Sequence, residues 1–138
     1  MFELIRSTIS STQKNINIEN FTESDIINVL NLVSHHSLSH VVAEAVIKNN
    51  VQISETLKNQ FERVVFRAAQ RYCIMQNALY EEKEILNAQH IPFIVLKGCV
   101  MCRYYPQPWI RSCCDIDILV KNEDHQRAKK ALIENGIL

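Results

Sequence analysis

The sequence predicts a mixed fold, α/β in content and α+β in order: a helical region over residues 1–90 followed by a strand-bearing region over 91–138. Three observations carry this. Between Ser54 and Gln89 there is neither glycine nor proline, and Leu57, Phe61, Val64, Val65, Ala68, Tyr72, Met75, Leu79 and Leu86 recur at steps that suit one long helix or two with a bend. Phe93 to Leu96 is a short, continuous apolar run placed just before Gly98, one of only two glycines in the chain. Asp115-Ile-Asp117-Ile-Leu-Val120 then sets apolar residues around two acids with the character of a second strand.

The remaining elements follow in order. Thr22-Glu-Ser-Asp precedes Ile26, Ile27, Leu30 and Val33, which lie at helical spacing behind a capping residue. A second helix runs from about Ser37 to Asn49 on a stripe of Leu38, Val41, Val42, Ala45 and Val46, with Asn49-Asn50 ending it. After the long helix, the chain reads as strand, short helix and strand. Asn122-Glu-Asp-His opens a last helix through Ala128, Ala131 and Leu132, and Gly136 serves as its C-cap.

Length and charge narrow the functional classes. At 16.0 kDa the chain can bury one real core. Fifteen basic and fifteen acidic residues give a net charge of zero, so a nucleic-acid partner is not indicated. No apolar run approaches the roughly 20 residues of a membrane span, and Met1-Phe-Glu-Leu-Ile-Arg has no signal-peptide order. Five cysteines, an odd number with Cys113 and Cys114 adjacent, suit a reducing compartment, and the expected location is cytoplasmic.

The chemistry concentrates around the two strand-like segments. Residues two apart on a strand share a face, so Asp115 and Asp117 point at one spot. Their repulsion is relieved by a hard divalent cation such as Mg²⁺ or Mn²⁺ held through carboxylates and substrate phosphates. Upstream, Gly98 offers permissive backbone where a strand turns into a helix, and N–H groups opened there can face a phosphate. Lys97 supplies a point charge beside that turn, and Arg111 a fork of donors; Arg111 equally suits pairing with Asp115 or Asp117.

Leu96-Lys97-Gly98 together with Arg111-x-x-x-Asp115-Ile-Asp117-Ile-Leu-Val120 resembles the uncharacterised nucleotidyltransferase family of the DNA polymerase β-like superfamily, over roughly Ile91 to Gly136. The resemblance implies a helical N-terminal half packed on a partial polymerase β-like core. It implies transfer of a nucleotidyl group from a nucleoside triphosphate to an unknown acceptor, with Gly98 and Cys99 at the phosphate turn and Asp115 and Asp117 as metal ligands. Cys99 stands where the superfamily usually has serine, and a thiol is a poorer donor to phosphate. A third carboxylate usually lies on a later strand. The sequence reaches Leu138 without one, so the 138 residues are expected to be a truncated core that binds metal weakly, turns over little, and covers its strand edges by self-association or with the long helix.

Rival readings use other residues. Cys99-x-x-Cys102 with Cys113-Cys114 would make a zinc site of a zinc-stabilised interaction protein; buried reduced thiols are the simpler account. An inactive relative serving as a helical binding module is the other alternative. His36 and His40 stand four apart as a metal pair would, or mark a solvated helix start. Arg63, Arg67 and Arg71 form either an anion-facing stripe or a solvated face. Tyr104, Tyr105 and Trp109 either stack a base or plug a proline-stiffened loop.

Overall fold

The computed structural model describes residues 2–9 and 22–137. Four helices come first: α1 (Phe2–Ile9), α2 (Glu23–Ser34), α3 (Ser39–Lys48) and α4 (Glu55–Ala88). Then follow strand β1 (Phe93–Leu96), a single-turn helix α5 (Gly98–Met101), strand β2 (Asp117–Val120) and α6 (His125–Glu134), with short 3₁₀ turns at Cys102–Tyr104, Pro108–Ile110 and Asn122–Asp124. The long apolar periodicity resolves as one helix of 34 residues rather than two.

Helix starts are set by polar residues. The Thr22 hydroxyl accepts from the Asp25 N–H at 3.2 Å while the Asp25 carboxylate accepts from the Thr22 N–H at 2.9 Å, a reciprocal box that satisfies two otherwise unpaired donors. Ser54 caps α4 by accepting from the Leu57 N–H, and its own hydroxyl and N–H both donate to Glu23, at 2.6 and 3.0 Å. The starts of α2 and α4 are therefore tied to each other.

Helix ends share one device. Asn50, His90 and Gly136 take left-handed backbone (φ 51°, 52° and 74°), and the amide after each bonds to the carbonyl five residues back, Val51 to Val46, Ile91 to Leu86 and Ile137 to Leu132. The pattern marks Asn50 and Gly136 in the sequence but not His90. Ile137 closes this last turn, and Leu138 lies outside the described residues.

Two apolar clusters sit at opposite ends of α4. Near its start, Leu57 and Phe61 close over Ile26 and Val33 of α2 and Val42, Ala43 and Val46 of α3. Near its end, Leu86 packs with Ile91 and Ala128, and against Phe93, Ile118 and Val120 of the sheet. Arg127 fastens this second end: its guanidinium pairs with the buried Asp124 at 2.7 Å and donates to the Gln89 carbonyl at 2.8 Å. Further links run from the middle of the chain, where the Trp109 indole donates to Glu44 at 3.3 Å.

The sheet is an antiparallel pair with Phe93 opposite Val120, Ile94 opposite Leu119, Val95 opposite Ile118 and Leu96 opposite Asp117. Side chains alternate across it. The face with Phe93, Ile118 and Val120 packs on α4 and α6, whereas Ile94 and Leu119, opposed on the other face, are 60% and 54% exposed. Asp117 therefore stands on the open face. The strand begins at Asp117, later than the sequence suggested. Residues 112–116 are irregular, so Asp115 belongs to the approach to β2.

Candidate functional site

The site is built at the join between β1 and α5. Lys97 carries the turn with φ 51° and ψ −121°, and its carbonyl accepts from the amides of Val100 and Met101 at 3.2 and 2.9 Å. The amides of Gly98 and Cys99 precede those first helical bonds and open at the turn. Because the register sets Leu96 opposite Asp117, the next residue brings its ammonium onto that carboxylate: Lys97 Nζ lies 3.2 Å from Asp117 Oδ2.

The glycine has a different job from the one its sequence position suggested. The left-handed backbone falls on Lys97, while Gly98 has no such φ; a Cβ added to Gly98 would lie 2.6 Å from Cys113 Sγ. Glycine is required here for close approach rather than for the turn. Cys113 Sγ fills the space above it, 3.3 Å from Cys99 Sγ, and donates to the Asp115 carbonyl at 2.9 Å. Burial, and then contact with the Cys113 thiol, pushes the Cys99 thiol up to about 12.

The four cysteines do not converge on a zinc site. Cys102 Sγ turns to the carbonyls of Gly98 and Cys99 at 3.1 and 3.3 Å, and Cys114 is exposed. Among the described residues no group of three His, Cys, Asp or Glu side chains is placed to hold a metal. The histidine pair also dissolves. α2 ends at Ser34, so His36 falls in the turn before α3, and His40 Nε2 bonds the Ile110 carbonyl at 3.0 Å and approaches the Ser112 hydroxyl at 3.3 Å.

The expected site residues divide into two groups. Lys97, Gly98 and Cys99 gather with Asp117 and the Asp115 backbone around the turn, and the exposed Asp115 carboxylate lies two residues before Asp117. Arg111 pairs with neither acid; its guanidinium donates to the Ser112 carbonyl at 2.8 Å, and it lines a narrow cleft with His40, Arg71, Tyr72 and Trp109 that reaches Cys113. Arg63 and Arg67 are exposed. Trp109 is held by Glu44, whereas Tyr104 is 73% exposed, so the aromatic group does not close as one plug.

Asp115 and Asp117 carry hard oxygen donors, the kind a divalent cation takes together with phosphate and water. The Lys97 ammonium against Asp117 marks that carboxylate as one that already draws positive charge. A soft metal is not what this donor set favours.

The sequence profile of the uncharacterised nucleotidyltransferase family matches residues 22–138. The chain belongs to that family. The family match reaches back beyond the resemblance carried by the strand region and takes in α2, α3 and α4 together with the strands. No curated protein and no solved structure matches the chain. Among the described residues, no helix of this nucleotidyltransferase-family chain is long and apolar enough to cross a membrane.

Sequence reasoning missed the contact of Cys99 with Cys113 and the left-handed backbone at Lys97. It also missed the links of His40 and Glu44 to the 109–112 loop. The scarcity of glycine marked the turn without revealing what approaches it, and the zinc reading grouped Cys99 with Cys113 without their direct contact.

Proposed function

We propose that the chain binds a nucleoside triphosphate at the turn after β1 and takes part in transferring its nucleotidyl group to an acceptor. The observation that supports this is the register that sets Lys97 beside Asp117 in a chain of the nucleotidyltransferase family. In this reading the Gly98 and Cys99 amides face the phosphates, and the Lys97 ammonium moves from Asp117 to a phosphate oxygen as the nucleotide arrives. Arg111, freed from the Ser112 carbonyl, adds a fork of donors from the cleft side.

Asp115 and Asp117 would hold a divalent cation, Mg²⁺ or Mn²⁺, on a partial polymerase β-like core. Such an ion neutralises phosphate charge and activates the attacking oxygen when bound. With the ammonium of Lys97 already on Asp117, metal and nucleotide should bind together better than either alone: the phosphates draw the lysine away and leave the carboxylate to the cation.

Calorimetric titration of Mn²⁺ with a non-hydrolysable nucleoside triphosphate tests the reading. Asp117→Asn keeps shape and removes charge, and is expected to weaken joint binding at least about tenfold, or about 1.4 kcal/mol, with an unchanged melting temperature. Equal binding in the variant removes the assignment. An inactive binding module, the rival, draws on the absence of a third acidic ligand near the pair among the described residues. It predicts no joint binding in the unaltered chain.

A further inference from the structure

We infer that Cys99 and Cys113 form an oxidisable thiol pair, closing as a disulfide across the turn after β1 when the protein meets a peroxide. The two sulfurs are 3.3 Å apart although 14 residues separate them in sequence. A disulfide bond is about 2.05 Å long, so closure needs an approach of little more than an ångström. Gly98 leaves room for Cys113 at this spot, since a Cβ there would lie 2.6 Å from Cys113 Sγ. Cys113 lies in the irregular 112–116 stretch, outside any helix or strand, whereas Cys99 sits in the first turn of α5. The other thiols are turned elsewhere: Cys102 to two carbonyls, Cys73 and Cys114 to solvent.

Exposure assigns the order of events. Cys113 is half-buried and Cys99 buried, so peroxide reaches Cys113 first. Its sulfur attacks the O–O bond, giving a sulfenic acid and one water. The Cys99 sulfur then attacks the Cys113 sulfur, the S–O bond breaks, and the departing hydroxyl leaves with the Cys99 proton as a second water. Two thiols lose two electrons, and one hydrogen peroxide becomes two waters. A dithiol reverses the reaction.

Closure also ends the donation of Cys113 Sγ to the Asp115 carbonyl, which holds the approach to β2 at 2.9 Å. The segment that carries Asp115 is then anchored to α5. This consequence rests on the nucleotide site proposed above; the bond itself does not.

The test uses the full chain with Cys73→Ser and Cys114→Ser, reduced and then treated with stoichiometric hydrogen peroxide. Tryptic mapping without reductant should join Gly98–Arg103 to Ser112–Lys121 with the loss of two hydrogens. The link should vanish in Cys99→Ser and Cys113→Ser, persist in Cys102→Ser and open with dithiothreitol. Persistence in Cys99→Ser, links only between molecules, or oxidation of Cys113 without a link would each overturn the inference. Oxidation should also lower binding of the Mn²⁺–nucleotide probe several-fold, reversibly. A link in a chain whose reduced form binds no nucleotide overturns only the proposed function. Nucleotide binding without a link overturns only the thiol pair.

Discussion

The two ends of α4 are built on opposite plans. At its start, Phe61, Ile26, Val33, Val42 and Val46 are almost wholly buried and packed from three helices. At its end a two-stranded sheet rests one face on Leu86, Ile91 and Ala128 and leaves Ile94 and Leu119 on an open face beside Asp117. Two strands alone are marginal, so the sheet is held largely by the helices behind it. The helical end carries most of the buried core, and the sheet end leaves the uncovered surface on which Lys97 and Asp117 stand.

The sharpest way to break this comparison is Phe61→Ala. It should cost about 3–5 kcal/mol in chemical denaturation, while Ile94→Ser on the open face should change stability hardly at all. Equal losses would show that the sheet face is covered in solution. A smaller effect is expected at the join. Gly98→Ala drives a methyl to within 2.6 Å of Cys113 Sγ and should cost about 1–3 kcal/mol, with part of the loss recovered by adding Cys113→Ala. No recovery would mean that the glycine serves the backbone after all.

The smallest effect concerns acid. The Glu23 carboxyl is held below its ordinary 4.5 by hydrogen bonds from Ser54, and that of Asp25 below 3.8 by those from Thr22. A carboxyl depressed in the folded chain contributes fully above its ordinary value and loses that contribution as pH falls through the lower folded value. Asp25 is exposed and Glu23 half-buried at the surface, so salt weakens the effect. Melting temperature should fall slightly less between about pH 6 and about pH 3 in Glu23→Gln/Asp25→Asn than in the unaltered chain. Parallel curves would exclude the caps as the acid-sensitive element.

Much of the helical half was legible because its signals are local. Thr22 announces a cap, apolar spacing announces α2, α3 and α4, and Gly136 announces the last helix end, whereas the Ser54 cap of α4 emerges only in the structure. The strands were legible in kind, but β2 lost its first two expected residues because Asp115 and Ile116 lack a bonded partner across from β1, which ends at Leu96. At the site, Lys97 and Asp117 were both singled out, yet their pairing is a matter of register that no local pattern encodes. The Cys99 contact with Cys113 and the bonds of His40 and Glu44 to the 109–112 loop likewise depend on how distant segments dock.

Lys97 holds a backbone conformation that glycine tolerates and a side chain with a Cβ resists, at a cost on the order of 1–3 kcal/mol. Its neighbour Gly98, at an ordinary φ, cannot take over that role. Ease of backbone and presence of charge therefore pull in opposite directions at this one position. Lys97→Gly should melt at a higher temperature than the unaltered chain even though it deletes the ion pair with Asp117, since so exposed a pair contributes little. A lower melting temperature would show that the turn is relaxed as it stands. In the function proposed above, that strain is what it costs to place an ammonium at the head of the turn.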